Sequence, residues 1–250
     1  MKKNTKKKAL TLALVIALLA IAVVGGSLAW FTAEDEAVNT FTVGSIKIVQ
    51  HEQQHDETGA LEDFEQNKTL LPIVNINDPA SDDNYEEKIV TVENTGKNDA
   101  YIRTWIAIPK ALEGYLILDT DETQGWAKQW WSPYPTINGM EYICYCYVYT
   151  NVLEAGKTTP VLLNGVYLDA ATDVQKNPAT GNMEFCKRNA ETGEFDFTGV
   201  AVMDAEGTAY NVNVLVATQA VQAEGFNDAQ QALNASFGEP IHDSSVPFIN

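Results

Sequence analysis

Apolar and polar positions alternate with a period of two along much of the chain, and this pattern predicts β-strands. The clearest alternation occupies residues 38–50, 89–93, 101–109, 140–150, 159–169 and the first part of 210–226. Residues 70–76 add a short edge strand, because Pro72 cannot donate a hydrogen bond to a neighbouring strand. Most of the chain is therefore predicted to form β-structure.

Turn signals and the distribution of apolar side chains indicate how some of these strands are placed. The string NTG at 94–96 separates residues 89–93 from 101–109, so these two segments are predicted to pair as a hairpin. Residues 140–150 carry apolar or aromatic side chains on both faces. This strand is therefore predicted to lie centrally, covered on both sides.

One segment, AQQALNASF at 229–237, has helical spacing of its apolar residues. Asn227 or Asp228 can cap its start, and Gly238 follows its end. Eight or so strands followed by one short C-terminal helix predict an all-β fold, an antiparallel β-sandwich of jelly-roll type. An immunoglobulin-like arrangement is the alternative.

The first 29 residues match a secretory signal peptide, with basic MKKNTKKK followed by the 16-residue apolar run ALTLALVIALLAIAVV. Small residues at the end of this region predict cleavage between Ala29 and Trp30. Because a membrane span needs about 20 apolar residues, no stable span is expected in the mature form, and an uncleaved anchor is the alternative. Residues 30–250 are predicted to form a single domain, with an excursion of loops and hairpins around 170–200.

The composition is that of a globular protein, but the formal net charge is −18. Removal of the predicted signal peptide takes away five lysines and no acid, which gives −23. Such a charge disfavours nucleic acid and anionic membranes as partners, and favours cations and basic partners.

Three cysteines, Cys144, Cys146 and Cys186, leave at least one thiol without an intramolecular disulfide partner. Cys144 and Cys146 share a strand face, and a C-x-C pair with one distant cysteine lacks the ligands of a structural zinc site. The three residues are interpreted as apolar fillers, with a bridge to Cys186 as the alternative.

The string HEQQH at 51–55 matches the H-E-x-x-H pattern, in which a helix lets two histidines share a zinc ion and a glutamate activate water. That chemistry would use His51, His55 and Glu52, with a third ligand from His242, Asp56 or Glu62. The segment lacks the apolar stripe of a buried helix, and in an extended strand the two histidines lie about 13 Å apart. It is interpreted as a polar connection from strand to loop, so zinc is not expected.

Acidic loops at 77–84, 119–125 and 203–207 could offer oxygen ligands to calcium. None has EF-hand spacing, and acids collect in turns for conformational reasons. Solvated turns are the favoured interpretation, with calcium binding as the alternative.

The string GWAKQWWSPYP at 125–135 groups Trp126, Trp130 and Trp131 in a segment that is not expected to be a regular strand. Exposed rings could stack on a sugar or anchor a partner. The favoured interpretation is that they fold inward and cap one end of the sandwich.

The string GGSLAWFTAEDEAVNTFTVGSIKI at 25–48 resembles the N-terminal region of the TasA/camelysin-like family of exported proteins processed by the signal peptidase SipW. Residues 89–109 and 214–238 are similar to further segments of that family, whereas residues 110–200 depart from TasA. The resemblance implies a jelly-roll domain, secretion from a Gram-positive cell, and assembly into biofilm matrix fibres through a donated N-terminal strand. Camelysin-like relatives are classed as metallopeptidases.

These observations predict a secreted, non-enzymatic structural subunit of the extracellular matrix or cell surface that needs no cofactor. Residues 30–43, with Val38, Phe41 and Val43, would be the assembly strand, and the partners would be further fibre subunits and the signal peptidase. One alternative is a zinc metallopeptidase using HEQQH. The other is a glycan- or protein-binding module that uses the tryptophan-rich segment.

Overall fold

The computed structural model describes residues 32–36, 39–40, 46–66, 68, 70–132, 134–203, 212–241 and 243–249. The described strands are β1 (Thr32–Glu36), β2 (Asn39–Thr40), β3 (Ile48–His55), β4 (Leu61–Asp63), β5 (Glu86–Asn94), β6 (Ala100–Pro109), β7 (Leu116–Thr120), β8 (Trp126–Trp131), β9 (Thr136–Ile137), β10 (Met140–Leu153), β11 (Leu163–Leu168), β12 (Thr172–Lys176), β13 (Met183–Arg188), β14 (Phe195–Met203) and β15 (Leu215–Gln222). They are accompanied by the helix α1 (Ala229–Phe237). The prediction of an all-β fold with one short C-terminal helix is confirmed, and the jelly-roll topology stays a prediction.

The strands form three sheets whose pairings between named strands are antiparallel. One sheet has the order β2-β1-β15-β6-β10-β8, with β9 paired to β10. A second has the order β4-β3-β5-β11-β7. The third consists of β12, β13 and β14, and lies in the segment where the sequence predicted an excursion of hairpins.

The first two sheets pack face to face as a sandwich. Ile102, Ile106 and Ile108 of β6 meet Val90 and Val92 of β5 in one buried cluster between them. Burial of this apolar surface is the main stabilising contribution to the fold.

The opposite face of the larger sheet is covered by α1 and the C-terminal segment. Trp105 of β6 and Cys144 and Cys146 of β10 pack there with Ala232 and Leu233 of α1. β6 is therefore buried on both faces along its whole length. β10 is likewise buried on both faces at its centre, as its sequence predicted.

The helix forms where its sequence predicted. The Asp228 side chain accepts a hydrogen bond from the backbone N–H of Gln231 at 2.7 Å, which satisfies one of the free donors at the helix start. At the other end, Gly238 has φ of 80°, a left-handed value that glycine adopts without strain.

Two strand predictions are wrong. β5 and β6 do not pair as a hairpin, because the chain crosses from one sheet to the other between them. The Asn94 side chain is fully buried at this crossing and donates to the carbonyl oxygens of Asn98 and Leu153 at 2.8 and 3.0 Å. Residues 70–76 form a loop instead of a strand, with Pro72 in a single parallel bridge to Leu168.

Candidate functional site

The N-terminal strand β1 occupies one edge of β15. The backbone register pairs Thr32 with Val221 and Glu36 with Ala217, while β6 pairs with the other edge of β15. β15 is buried from Val216 to Gln222. It has the character of a central strand, so its edge requires a neighbour such as β1.

A chain of polar side chains lies inside the sandwich below β15. The Thr218 hydroxyl donates to Gln50 Oε1 at 2.7 Å, and Gln50 Nε2 donates to Glu52 Oε1 at 2.9 Å. Thr104 Oγ1 lies 3.0 Å from Thr218 Oγ1. The core near the β15 edge is therefore hydrogen-bonded as well as apolar, which fixes how β3 and β15 face each other.

This polar chain ends in a buried ion pair between Glu52 and Lys88. The exposed fractions of the two side chains are 19% and 5%, and the ammonium group also lies 4.1 Å from the centre of the Phe64 ring. Charges this well shielded from water are stable only when paired.

The HEQQH segment lies in β3, so the prediction of a connection beginning at residue 51 is wrong: the strand continues to His55. His51 Nε2 lies 3.0 Å from Glu93 Oε2, and His55 Nδ1 lies 2.8 Å from Glu87 Oε1. Glu52 points into the sandwich, because successive residues of a strand face opposite sides. The three side chains therefore do not converge on one point, as zinc-protease chemistry requires.

Within the described residues, no three His, Cys, Asp or Glu side chains are grouped as metal ligands. His242 lies outside those residues. Of the other candidate third ligands, Asp56 binds its own turn through Thr58 and Ala60, and Glu62 accepts a hydrogen bond from Gln54 at 2.8 Å.

The tryptophan-rich segment forms the edge strand β8, contrary to the expectation of an irregular segment. Trp126 is buried and its Nε1 donates to the Pro160 carbonyl at 3.0 Å. Trp130 packs edge-on against Trp105 at 6.2 Å, and Trp131 is 59% exposed. The three rings therefore form neither one binding surface nor one cap.

Carboxylates of the acidic loops accept hydrogen bonds from nearby backbone and side-chain donors. Asp121 accepts from the backbone N–H and the hydroxyl of Thr123, at 2.8 and 2.6 Å, and these bonds hold the pKa of Asp121 below its ordinary value. Asp82 of the loop 77–84 accepts from the backbone N–H of Asn84 in that loop and from those of Val74 and Asn75 just before it. Residues 204–207 of the third loop lie outside the described residues.

All three cysteines are buried thiols. Cys144 and Cys146 lie under α1, whereas Cys186 lies on β13 of the three-stranded sheet. Burial raises the pKa of Cys146 to about 12 and raises that of Cys186. These positions agree with the interpretation of the cysteines as fillers of the interior.

The predicted cleavage site at Ala29 and Trp30 and the assembly residues Val38, Phe41 and Val43 lie outside the described residues. The apolar run of the predicted signal peptide lies outside them as well. In the part of the chain that is described, no helix could span a bilayer.

Sequence reasoning missed two buried cations. Arg103 is 1% exposed, its Nε donates to Gln219 Oε1 at 2.6 Å, and its Nη1 donates to the Gly238 carbonyl at 2.9 Å. Lys88 is the other. Lys88 is the only basic residue of β5, and Arg103 is the only basic residue of β6. A single cation within a strand was the signal from which their burial could have been predicted.

No family model, curated protein or solved structure matches this chain. Its function is therefore inferred from its own residues.

Proposed function

We propose that this protein is an exported structural subunit of extracellular matrix or cell-surface fibres, in which residues 30–43 of one copy pair with the next copy. The observation that carries the proposal is the burial of β15 together with its pairing to β1. This strand is buried from Val216 to Gln222, and the neighbour that completes its edge is the N-terminal strand β1.

Exchange of β1 between copies preserves the pairing that the single chain makes. The same register, with Ala33 opposite Ala220, can form within one copy or between two. The two arrangements therefore differ mainly in the effective concentration of the strand, so a high subunit concentration favours exchange. If every copy gives its strand to the next, the contact is head-to-tail and the assembly grows linearly.

The sequence supports export and assembly independently of this pairing. The basic and apolar segments at the N-terminus are typical of a signal peptide, and cleavage after Ala29 would place β1 close to the new N-terminus. The resemblance of residues 25–48 to SipW-processed proteins supports the same assignment.

Electron microscopy with cysteine cross-linking tests the proposal. Ala33 and Ala220 are direct partners, so cysteines at the two positions can be bridged under oxidation. We expect the processed protein to form fibres, and a form beginning at Ser45 to form none. When an Ala33→Cys variant and an Ala220→Cys variant are mixed, we expect a dimer whose disulfide joins position 33 of one copy to position 220 of the other. Peptide mass spectrometry distinguishes this bridge, which requires exchange between copies, from a bridge between two Ala33→Cys chains or one through a native thiol.

The doubly substituted chain, A33C/A220C, is the matched control. Oxidation of it under monomeric conditions should give an intramolecular bridge, which establishes that the pair has the geometry to react. If this control closes while the mixed variants never cross-link, and the processed protein stays monomeric at all concentrations, strand exchange is wrong.

A further inference from the structure

Residues 71–76 form an exposed aliphatic loop, called here the apolar loop. The exposed fractions of Leu71, Val74 and Ile76 are 49%, 83% and 67%. Three large aliphatic side chains within six residues are rarely left in water together, and such a patch indicates an interaction surface.

The apolar loop is held in place by hydrogen bonds. The Ile73 side chain is buried, and its backbone N–H donates to the Leu168 carbonyl at 3.0 Å. Asn84 Nδ2 donates to the Pro72 carbonyl at 2.8 Å, and Asp82 Oδ2 accepts from the N–H of Val74 at 2.7 Å. The exposed side chains are thus presented by an ordered backbone, which lowers the entropy lost when they bind a partner.

Acidic side chains accompany the apolar loop. Asp78 and Asp83 are exposed, and β5 begins just beyond them at Glu86. A partner surface for this end of the molecule should therefore combine apolar groups with positive charge.

The opposite end of the same strand carries lysines. β5 ends at Asn94, whose N–H donates to the Lys157 carbonyl at 2.8 Å, and the N–H of Gly96 donates to the Lys47 carbonyl at 3.0 Å. Lys47, Lys97 and Lys157 are all exposed around this turn, called here the lysine end. At about 3.4 Å per residue, β5 separates the two ends by roughly 27 Å.

The lysine end also has a concave, partly apolar surface. A cleft of about 550 Å³ is lined there by Lys97, Tyr101 and Val152, the last of which is 40% exposed. Two acids line the same cleft and have hydrogen-bond partners: Asp99 accepts from the Ala155 N–H at 3.0 Å, and Glu224 accepts from Gln222 Nε2 at 3.1 Å.

We propose that a second copy of this chain docks head-to-tail here, with the apolar loop and its acids on the lysine end of the neighbouring copy. The two surfaces lie at opposite ends of one sandwich, so the contact is heterologous and repeats along a line. Two apolar loops facing each other would bring like charges together, which disfavours a symmetric dimer. The inference rests on the proposed assembly and adds a second contact between its subunits.

Paired substitutions in the processed protein test this contact by sedimentation velocity and electron microscopy. V74S/I76S removes apolar side chains that are mostly in water, so the fold of the single copy should be unchanged. We expect its self-association to weaken about tenfold or more. The control is Leu61→Ser, which removes a 52% exposed leucine from β4 and should associate like the unsubstituted protein.

Charge reversal identifies the partner surface. K97E/K157E or D78K/D83K alone should weaken association about tenfold or more, because each places like charges across the contact. Both pairs in one chain should restore it. If V74S/I76S associates normally, or if the combined charge reversal fails to restore association, the docking contact is wrong. It is also wrong if the unsubstituted protein does not self-associate and instead binds phosphatidylcholine vesicles through Val74 and Ile76.

The same measurements separate this contact from strand exchange. If the form beginning at Ser45 loses all association while the loop and lysine variants associate like the unsubstituted protein, strand exchange is supported and the docking contact is wrong. If the form beginning at Ser45 still associates and V74S/I76S does not, the docking contact is supported and strand exchange is wrong.

Discussion

Arg103 is the residue that connects the larger sheet to the end of α1. Its guanidinium donates to the carbonyls of Gly238 and Phe237 at 2.9 and 3.4 Å, at the helix end where the dipole is negative. Arg103→Met keeps most of the apolar stem and removes these donors. We expect the free energy of unfolding to fall by about 2–4 kcal/mol, measured by urea denaturation followed through tryptophan fluorescence.

Arg188→Met is the matched control for Arg103. Arg188 also lies on a strand with its guanidinium 5.2 Å from a phenylalanine ring, but it is exposed. Its substitution should change the free energy of unfolding by less than about 0.5 kcal/mol. Equal losses from the two variants would contradict the role assigned to Arg103.

For the buried ion pair of Glu52 and Lys88, the sequence could predict the direction of one side chain but not its partner. The period of two carries Ile46 and Ile48 into the core and, if continued, predicts that Glu52 is also inward. The presence of glutamine and glutamate at these positions instead suggested a surface segment. The Glu52 carboxylate can lie inward because the ammonium group of Lys88, 36 residues later, compensates its charge. Local sequence cannot predict this partner.

Among the connecting elements, the loop that precedes β5 depends on the ionised form of Asp82. The backbone N–H groups of Asn75, Asn84 and Val74 bind this carboxylate and hold its pKa below the ordinary value of 3.8. The stabilisation is therefore complete above that value and is lost as the pH falls through the lowered pKa. We expect the amide protons of Val74 and Asn75 to lose protection against hydrogen exchange only below about pH 4, after correction for intrinsic rates.

A pair of substitutions at one pH checks the assignment to Asp82. Asp82→Ala should raise the exchange rates of the Val74 and Asn75 amides near neutral pH. The neighbouring Asp83→Ala removes an exposed carboxylate and should leave them unchanged. Unchanged protection in Asp82→Ala would mean that other contacts order the loop.

Most strands and the helix could be predicted from local patterns, because alternation and capping act within a few residues. Which strand each one pairs with could not be predicted from such local patterns. Residues 89–109 contain two correctly predicted strands joined by a turn signal, yet Asn94 directs the chain into the other sheet. β8 was missed because its irregular pairing and its mixed tryptophan environments hide the alternation.

At the scale of the whole molecule, the sequence predicted a sandwich but not the layer formed by α1. Cys144 and Val148 of β10 are covered by the helix, whereas Ile143 and Tyr147 face the second sheet. Alternation alone indicated that both faces of this strand are covered, and it could not say by what. The candidate site at β15 was equally hidden, because the edge that β1 fills is defined by distant strands.

The positions of the three thiols make the opening of separate layers measurable. Cys186 lies in the three-stranded sheet, and Cys144 and Cys146 lie between the larger sheet and α1, so local opening of the smaller sheet exposes only Cys186. In intermediate urea at about pH 8, we expect a thiol reagent detected by mass spectrometry to modify Cys186 first, with the other two reacting at the main unfolding transition. A Cys186→Ser variant should lose the early modification and retain the later one. Simultaneous modification of all three thiols would instead establish that the layers unfold as one cooperative unit.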